Sequence, residues 1–256
     1  MKANNHLFAL LLFLIPIIPF AQNKPVPRKA PTPGKGMLTI TFKNTFNGIP
    51  IILNDSIYTN VFGENFSISK LKYYVSDICL FSATQKNVRI RKYFLINQEI
   101  DSSLSCSFPL QENMYDSISF LFGVDSTRNV SGAQTGALDP MNDMFWTWNS
   151  GYIMQKLEGY SASSNATNNK MEYHLGGFSG QNSVLKNVYF PFTAEKKLVI
   201  KAGKKSSIHI EADFAKFWKK GEQFNISKTP VCTTPGKLAK ELSGNFLKLF
   251  SNPIVE

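Results

Sequence analysis

The chain has 256 residues, 43% of them hydrophobic, and carries 28 Lys+Arg against 18 Asp+Glu. The part beyond the N-terminal segment is long enough for one larger domain that buries a real core without staples. The basic balance comes with no zinc-finger, helix-turn-helix or RNA-binding motif, so nucleic acid is not an expected partner. The lysines read as a solvated basic surface, with attraction to acidic partners as the weaker alternative.

Residues 1–21 have the pattern of a signal peptide. Lys2 supplies the positive end, Leu7 to Phe20 is an apolar run, and Ala21 before Gln22 is a cleavage point. The run is too short and too proline-interrupted for a comfortable membrane helix, and no later stretch is long and apolar enough for one. No cysteine follows it, which argues against a lipid anchor. The expected location is therefore periplasmic or extracellular. His6 leaves with this segment. Residues 22–36 hold Pro25, Pro27, Pro31 and Pro33 among basic residues and predict an extended linker.

From 37 to 256 period-two alternation dominates. Leu38, Ile40 and Phe42 alternate with Thr39, Thr41 and Lys43; Ile118, Phe120 and Phe122 with Ser117, Ser119 and Leu121. Met171, Tyr173 and Leu175 oppose Glu172 and His174, and Ile208, Ile210 and Ala212 oppose His209, Glu211 and Asp213. Further strands are expected at 50–53, 68–81, 88–97, 152–159, 186–192 and 197–202. One buried and one wet face predicts an all-β, antiparallel two-sheet β-sandwich. Residues 161–170 are a polar tip, expected to be mobile. Near the C-terminus Thr234 and Pro235 predict a helix start, with Leu238, Leu242, Phe246 and Leu249 on one stripe and Asn252-Pro253 ending it. Of Cys79, Cys106 and Cys232, two are free to pair in an oxidising compartment; their spacing fits no zinc or haem motif.

The stretch from Asn129 to Tyr152 lacks helical or strand periodicity and ends in Met144-Phe-Trp-Thr-Trp-Asn-Ser-Gly-Tyr152, followed by Lys156-Leu-Glu-Gly159. Long loops ending in large aromatics are more often functional than filler, although Phe145, Trp146 and Trp148 would serve equally as core plugs. This motif resembles the centre of the MbnP-like family, secreted proteins associated with copper handling. Phe62 to Ser76, Gly123-Val-Asp125 and Tyr173-His-Leu-Gly176 agree in order, so the resemblance spans about 37–250. It implies a β-sandwich. It also implies a copper site that includes a kynurenine, made from tryptophan by a diheme enzyme related to cytochrome c peroxidases. Carried over by position, Trp146 and Trp148 are the candidates for oxidation, and Tyr152 and Glu158 line the site. His174 is the first choice of ligand, since a neutral imidazole suits copper, and Met144 (or Met154) offers a thioether. Asn44 stands where a second histidine is sought.

Other constellations carry less. His209, Glu211 and Asp213 point the same way along a strand, as a surface polar cluster or a weak metal site. Asp125, Asp139, Asp143 and Glu158 are oxygen donors near the loop, so a structural calcium is a further possibility, although their spacing is no EF-hand and loop carboxylates usually cap turns. Arg128 is expected to pair with Asp125. Hydrolase and phosphate-loop signatures are absent. The reading is a metal-associated binding protein and not an enzyme. The competing one is a recognition module for sugar or protein, with Trp146, Trp148 and Tyr152 as an exposed stacking platform.

Overall fold

The computed structural model describes residues 34–132, 134–147, 149–218 and 224–256. The expected signal peptide, nearly all of the linker, and Trp148 lie outside the described residues. Fifteen strands are present among them. In chain order β1 is Lys35–Phe46, β2 Ile49–Pro50, β3 Ile57–Thr59, β4 Asn65–Phe81 and β5 Val88–Asn97. Then come β6 Ser105–Gln111, β7 Asn113–Tyr115, β8 Ser117–Phe122, β9 Ile153–Tyr160 and β10 Lys170–Gly176. Last are β11 Lys186–Pro191, β12 Leu198–Ile200, β13 Lys205–Asp213, β14 Val231–Cys232 and β15 Ile254–Val255.

The all-β sandwich expected from the alternation is present. One sheet runs β15-β13-β1-β2 with β6 also paired to β1; the larger runs β11-β8-β4-β9-β10-β14 with β3 and β5 also on β4. A small third sheet pairs β12 with β7. Two pairings depart from the antiparallel expectation. β1 runs parallel to β13, from Met37↔Lys205 to Thr45↔Asp213, and β10 runs parallel to β14. Alternation reports which face is buried and is silent on the partner's direction.

Between the sheets the inward residues form an aromatic core. Tyr73 lies 5.5 Å from Phe122 and Phe42 5.8 Å from Phe120, ring centre to ring centre. The C-terminal segment closes it, with Phe246 4.7 Å from Phe122 and Phe250 5.2 Å from Phe120. Trp218 packs 4.6 Å from Phe66.

Several local expectations are corrected. Of the 50–53 region only Pro50 is strand, as the end of β2; Asn54, at φ 68, turns the chain away. The C-terminal helix begins at Lys237 with Gly236 as its cap residue, because β14 keeps the chain in the sheet to Cys232. It breaks at Ser243–Asn245 and resumes over Phe246–Leu249. Leu238 faces solvent and Ala239 is buried in its place. The 161–170 tip is tied down: Ser161 Oγ donates to Asn65 O at 2.6 Å, and Ser164 Oγ donates to Lys170 O. All three cysteines are free thiols, on separate strands β4, β6 and β14.

Candidate functional site

The stretch after β8 is a loop held by its own polar residues. Asp125 caps the short helix α1 (Ser126–Asn129) by accepting from Arg128 N at 3.1 Å, so its partner in Arg128 is the backbone and not the guanidinium. Asp139 accepts from Met141 N at 2.9 Å. These two carboxylates are thus spent on turns. Phe145 then bridges to Tyr152, with Gly151 N donating to Thr147 O at 2.8 Å. Gly151 has φ 72, and a Cβ there would meet Asn129 Oδ1 at 2.2 Å. That oxygen accepts from Tyr152 N at 2.8 Å. The Gly-Tyr end of the motif is therefore architectural. Tyr152 is buried; its hydroxyl donates to Leu138 O at 2.6 Å and its ring stands edge-on to Tyr74. Met144 has no exposed surface and belongs to the hydrophobic core, as does Met154, whose sulfur accepts from Val124 N.

Trp146 is half-buried and seated on Gly176, where a Cβ would lie 2.4 Å from its ring. Gly176 is two residues beyond His174 on β10, roughly 7 Å along its backbone, and opposite the step from Leu175 to Gly176 the β9 partner runs from Gln155 to Ile153, a bulge at Met154. On the face that carries His174 the even-numbered residues of three strands meet. Lys70 pairs in register with Glu158, and Lys156 lies between Lys72 and His174. His174 Nε2 is 2.8 Å from Glu158 Oε1. Lys70 Nζ approaches Asp143 at 3.3 Å and Glu158 at 3.4 Å; Lys156 Nζ is 2.8 Å from Asp143. Lys72 Nζ donates to Asn142 O at 3.2 Å. The loop thus covers the face, and Lys156 is only 2% exposed and Lys72 9%.

The charges tune one another. The His174 hydrogen bond holds the Glu158 carboxyl below its ordinary range against the opposing effect of burial, with Lys70 and Lys156 adding to it. Burial works to raise Asp143, but Lys156 and Lys70 together bring it down. Burial would lower Lys70, yet Glu158 and Asp143 raise it. Lys72 is pushed down, by burial first and then by Lys70. With Glu158 ionised, the Nε2 proton of a neutral His174 ring points to it, and Nδ1 keeps the lone pair.

These residues can be tested against copper. Such a centre asks for imidazole or sulfur donors. This face supplies one imidazole, the engaged carboxylate of Glu158 and the three ammonium groups of Lys70, Lys72 and Lys156, while Met144 is in the core. Among the described residues no three His, Cys, Asp or Glu converge, calcium-type clusters included. The unmodified side chains do not fit a tight copper centre. Asn44 is on the other sheet, donating to Gln98 Oε1 and accepting from the Tyr73 hydroxyl at 2.7 Å. His209, Glu211 and Asp213 do not act together: His209 pairs with Glu256, Glu211 accepts from Thr45, and Asp213 from Asn47 N and Ala215 N.

The sequence reading missed the buried lysines. Reading the lysines as a solvated surface fails at Lys72 and Lys156, both buried, because nothing in the alternation reveals that a loop roofs that face. Residues 35–234 match the MbnP family model. The fold is similar to that of MbnP from Methylosinus trichosporium, with a TM-score of 0.56 at 13% identity, covering 78% of this chain and 83% of that one. No curated protein matches the sequence. No helix among the described residues is long and apolar enough to cross a membrane. The family match runs from the first strand through β14 and takes in the whole aromatic loop, so the chain belongs to the MbnP family.

Proposed function

We propose that this protein is an exported, non-enzymatic binding protein associated with metal handling, and that its site lies between Trp146 and His174. The observation that carries the reading is the Trp146 ring seated on Gly176, one pleat along β10 from His174. A plain indole has no lone pair for a metal, since its nitrogen is a donor only. Oxidation to kynurenine exposes an aromatic amine and a ketone beside an imidazole that Glu158 already orients. A diheme cytochrome c peroxidase-like enzyme is the partner this requires. The indole C2–C3 bond opens, each carbon gains one oxygen from peroxide, and the peroxide is reduced to water. Hydrolysis then releases the C2 carbon as formate. Copper is the metal that the family points to. The buried Tyr152 weighs against the stacking-platform alternative, which needs its rings in an open row.

Protein co-expressed with such an enzyme and digested for mass spectrometry tests this. The peptide holding Trp146 is expected to carry the kynurenine mass change. An unaltered Trp146 in material that binds copper would overturn the reading.

A further inference from the structure

The same loop walls a second, different site. Beside β5 lies an open cleft of about 530 Å³, lined by Arg91, Lys92, Tyr93, Arg128, Gln134 and Thr135 together with Ala137 and Leu138. Its three cations have no lining carboxylate to answer them. Arg89 nearby is paired with Asp77, but Arg91, Lys92 and Arg128 make no ion pair among the described residues. The nearest acids are committed: Asp125 accepts from the Tyr93 hydroxyl and from Arg128 N, and Asp77 holds Arg89.

The fold puts effort into this arrangement. Between Ser76 and Ile78 of β4 the partner strand runs from Tyr93 to Ile90, so β5 carries one more residue than β4 there. Asp77, at φ 51, sits opposite that bulge. Arg91 and Lys92 are the residues left out of register, which frees both from the alternation that would send neighbours to opposite faces. Arg128 is held from the other side: its guanidinium lies 5.9 Å from the Tyr93 ring centre, and its Nη1 donates to Gln134 Oε1 at 3.3 Å. Gln134 Nε2 returns a bond to Arg128 O at 2.8 Å. Like charges gathered in a cleft repel one another unless an anion joins them, and a preset guanidinium meets carboxylate or phosphate oxygens through paired hydrogen bonds.

We infer that this cleft binds a small, multiply charged oxyanion, a polycarboxylate or a phosphate. The volume suits a small molecule. Calorimetric titration at low salt with citrate and, separately, pyrophosphate distinguishes the two sources. One-site, salt-sensitive binding of at least one of them is expected. The Arg91→Ser/Lys92→Ser variant changes only exposed positions; its thermal midpoint should match the parent, and its affinity should fall about tenfold or more. Arg128→Gln should weaken binding as well. No saturable binding of either anion at millimolar concentration, or an affinity unchanged in the double variant, would overturn the proposal.

Discussion

Lys72 and Lys156 face each other across β4 and β9, and their surroundings make them opposites in energy. Lys156 reaches Asp143 and Glu158, whereas among the described residues the Lys72 ammonium donates to a neutral carbonyl, Asn142 O. Replacing Lys156 with Met removes one of the two ammonium groups that serve Asp143 and Glu158, leaving them to Lys70 and His174, and should cost about 1–3 kcal/mol, less than a fully buried pair because Asp143 is largely exposed. Replacing Lys72 with Met removes a charge that burial penalises, so stability should hold or rise by about 1 kcal/mol. Denaturant midpoints of the two variants check this; equal losses would show that Lys72 has a compensating partner. Glu158 and Asp143 both titrate below their ordinary range. The stability they add is therefore complete above the ordinary carboxylate range and is lost as the pH falls through and below it. Glu158→Gln should cost about 1–3 kcal/mol at neutral pH and progressively less in acid. Unfolding curves for the variant and the parent that stay parallel down the pH scale would contradict this.

Two parts of the chain define the proposed site, the segment at Trp146 and the end of β10. Their contact is Trp146 on Gly176, so a side chain at 176 should act on the tryptophan before anything else. Gly176→Ala brings a Cβ within 2.4 Å of the ring and 2.8 Å of Tyr152 O. It should destabilise by about 1–3 kcal/mol, and much of that cost should vanish in a Trp146→Ala background. A double-mutant cycle with no coupling would separate the two residues. At this scale the sequence was readable unevenly. Period-two alternation located β4, β5 and β8–β10, because each has one face in the core. The Trp-to-Tyr motif was visible as a motif, but its glycine and tyrosine turned out to hold the turn, through Asn129. The C-terminal helix start was misplaced because capping residues describe local preference, while the β14 pairing that delays the helix is a long-range contact.

Across the whole molecule the cysteines report on the core. Burial pushes the Cys106 thiol up to about 12 and Cys232 up to about 11, and raises Cys79 as well. Native protein should therefore react with a thiol reagent first and slowly at the half-exposed Cys79, and at all three only after unfolding; fewer than three thiols in denaturant would show a bridge. What the sequence could not convey at this scale was the roof over the sheet face. Which strand face lies under a distant loop depends on contacts such as Lys156 to Asp143, and period-two patterning cannot distinguish a roofed wet face from an open one. The proposed function rests on that same roofed face, where Trp146 sits on Gly176 at the end of β10, two residues past His174. Copper titration of protein with Trp146 confirmed as kynurenine, beside its His174→Ala counterpart, tests this most directly. Tight binding by the first and its loss in the second is the predicted result; equally tight binding by both, or by protein with an intact Trp146, would contradict it.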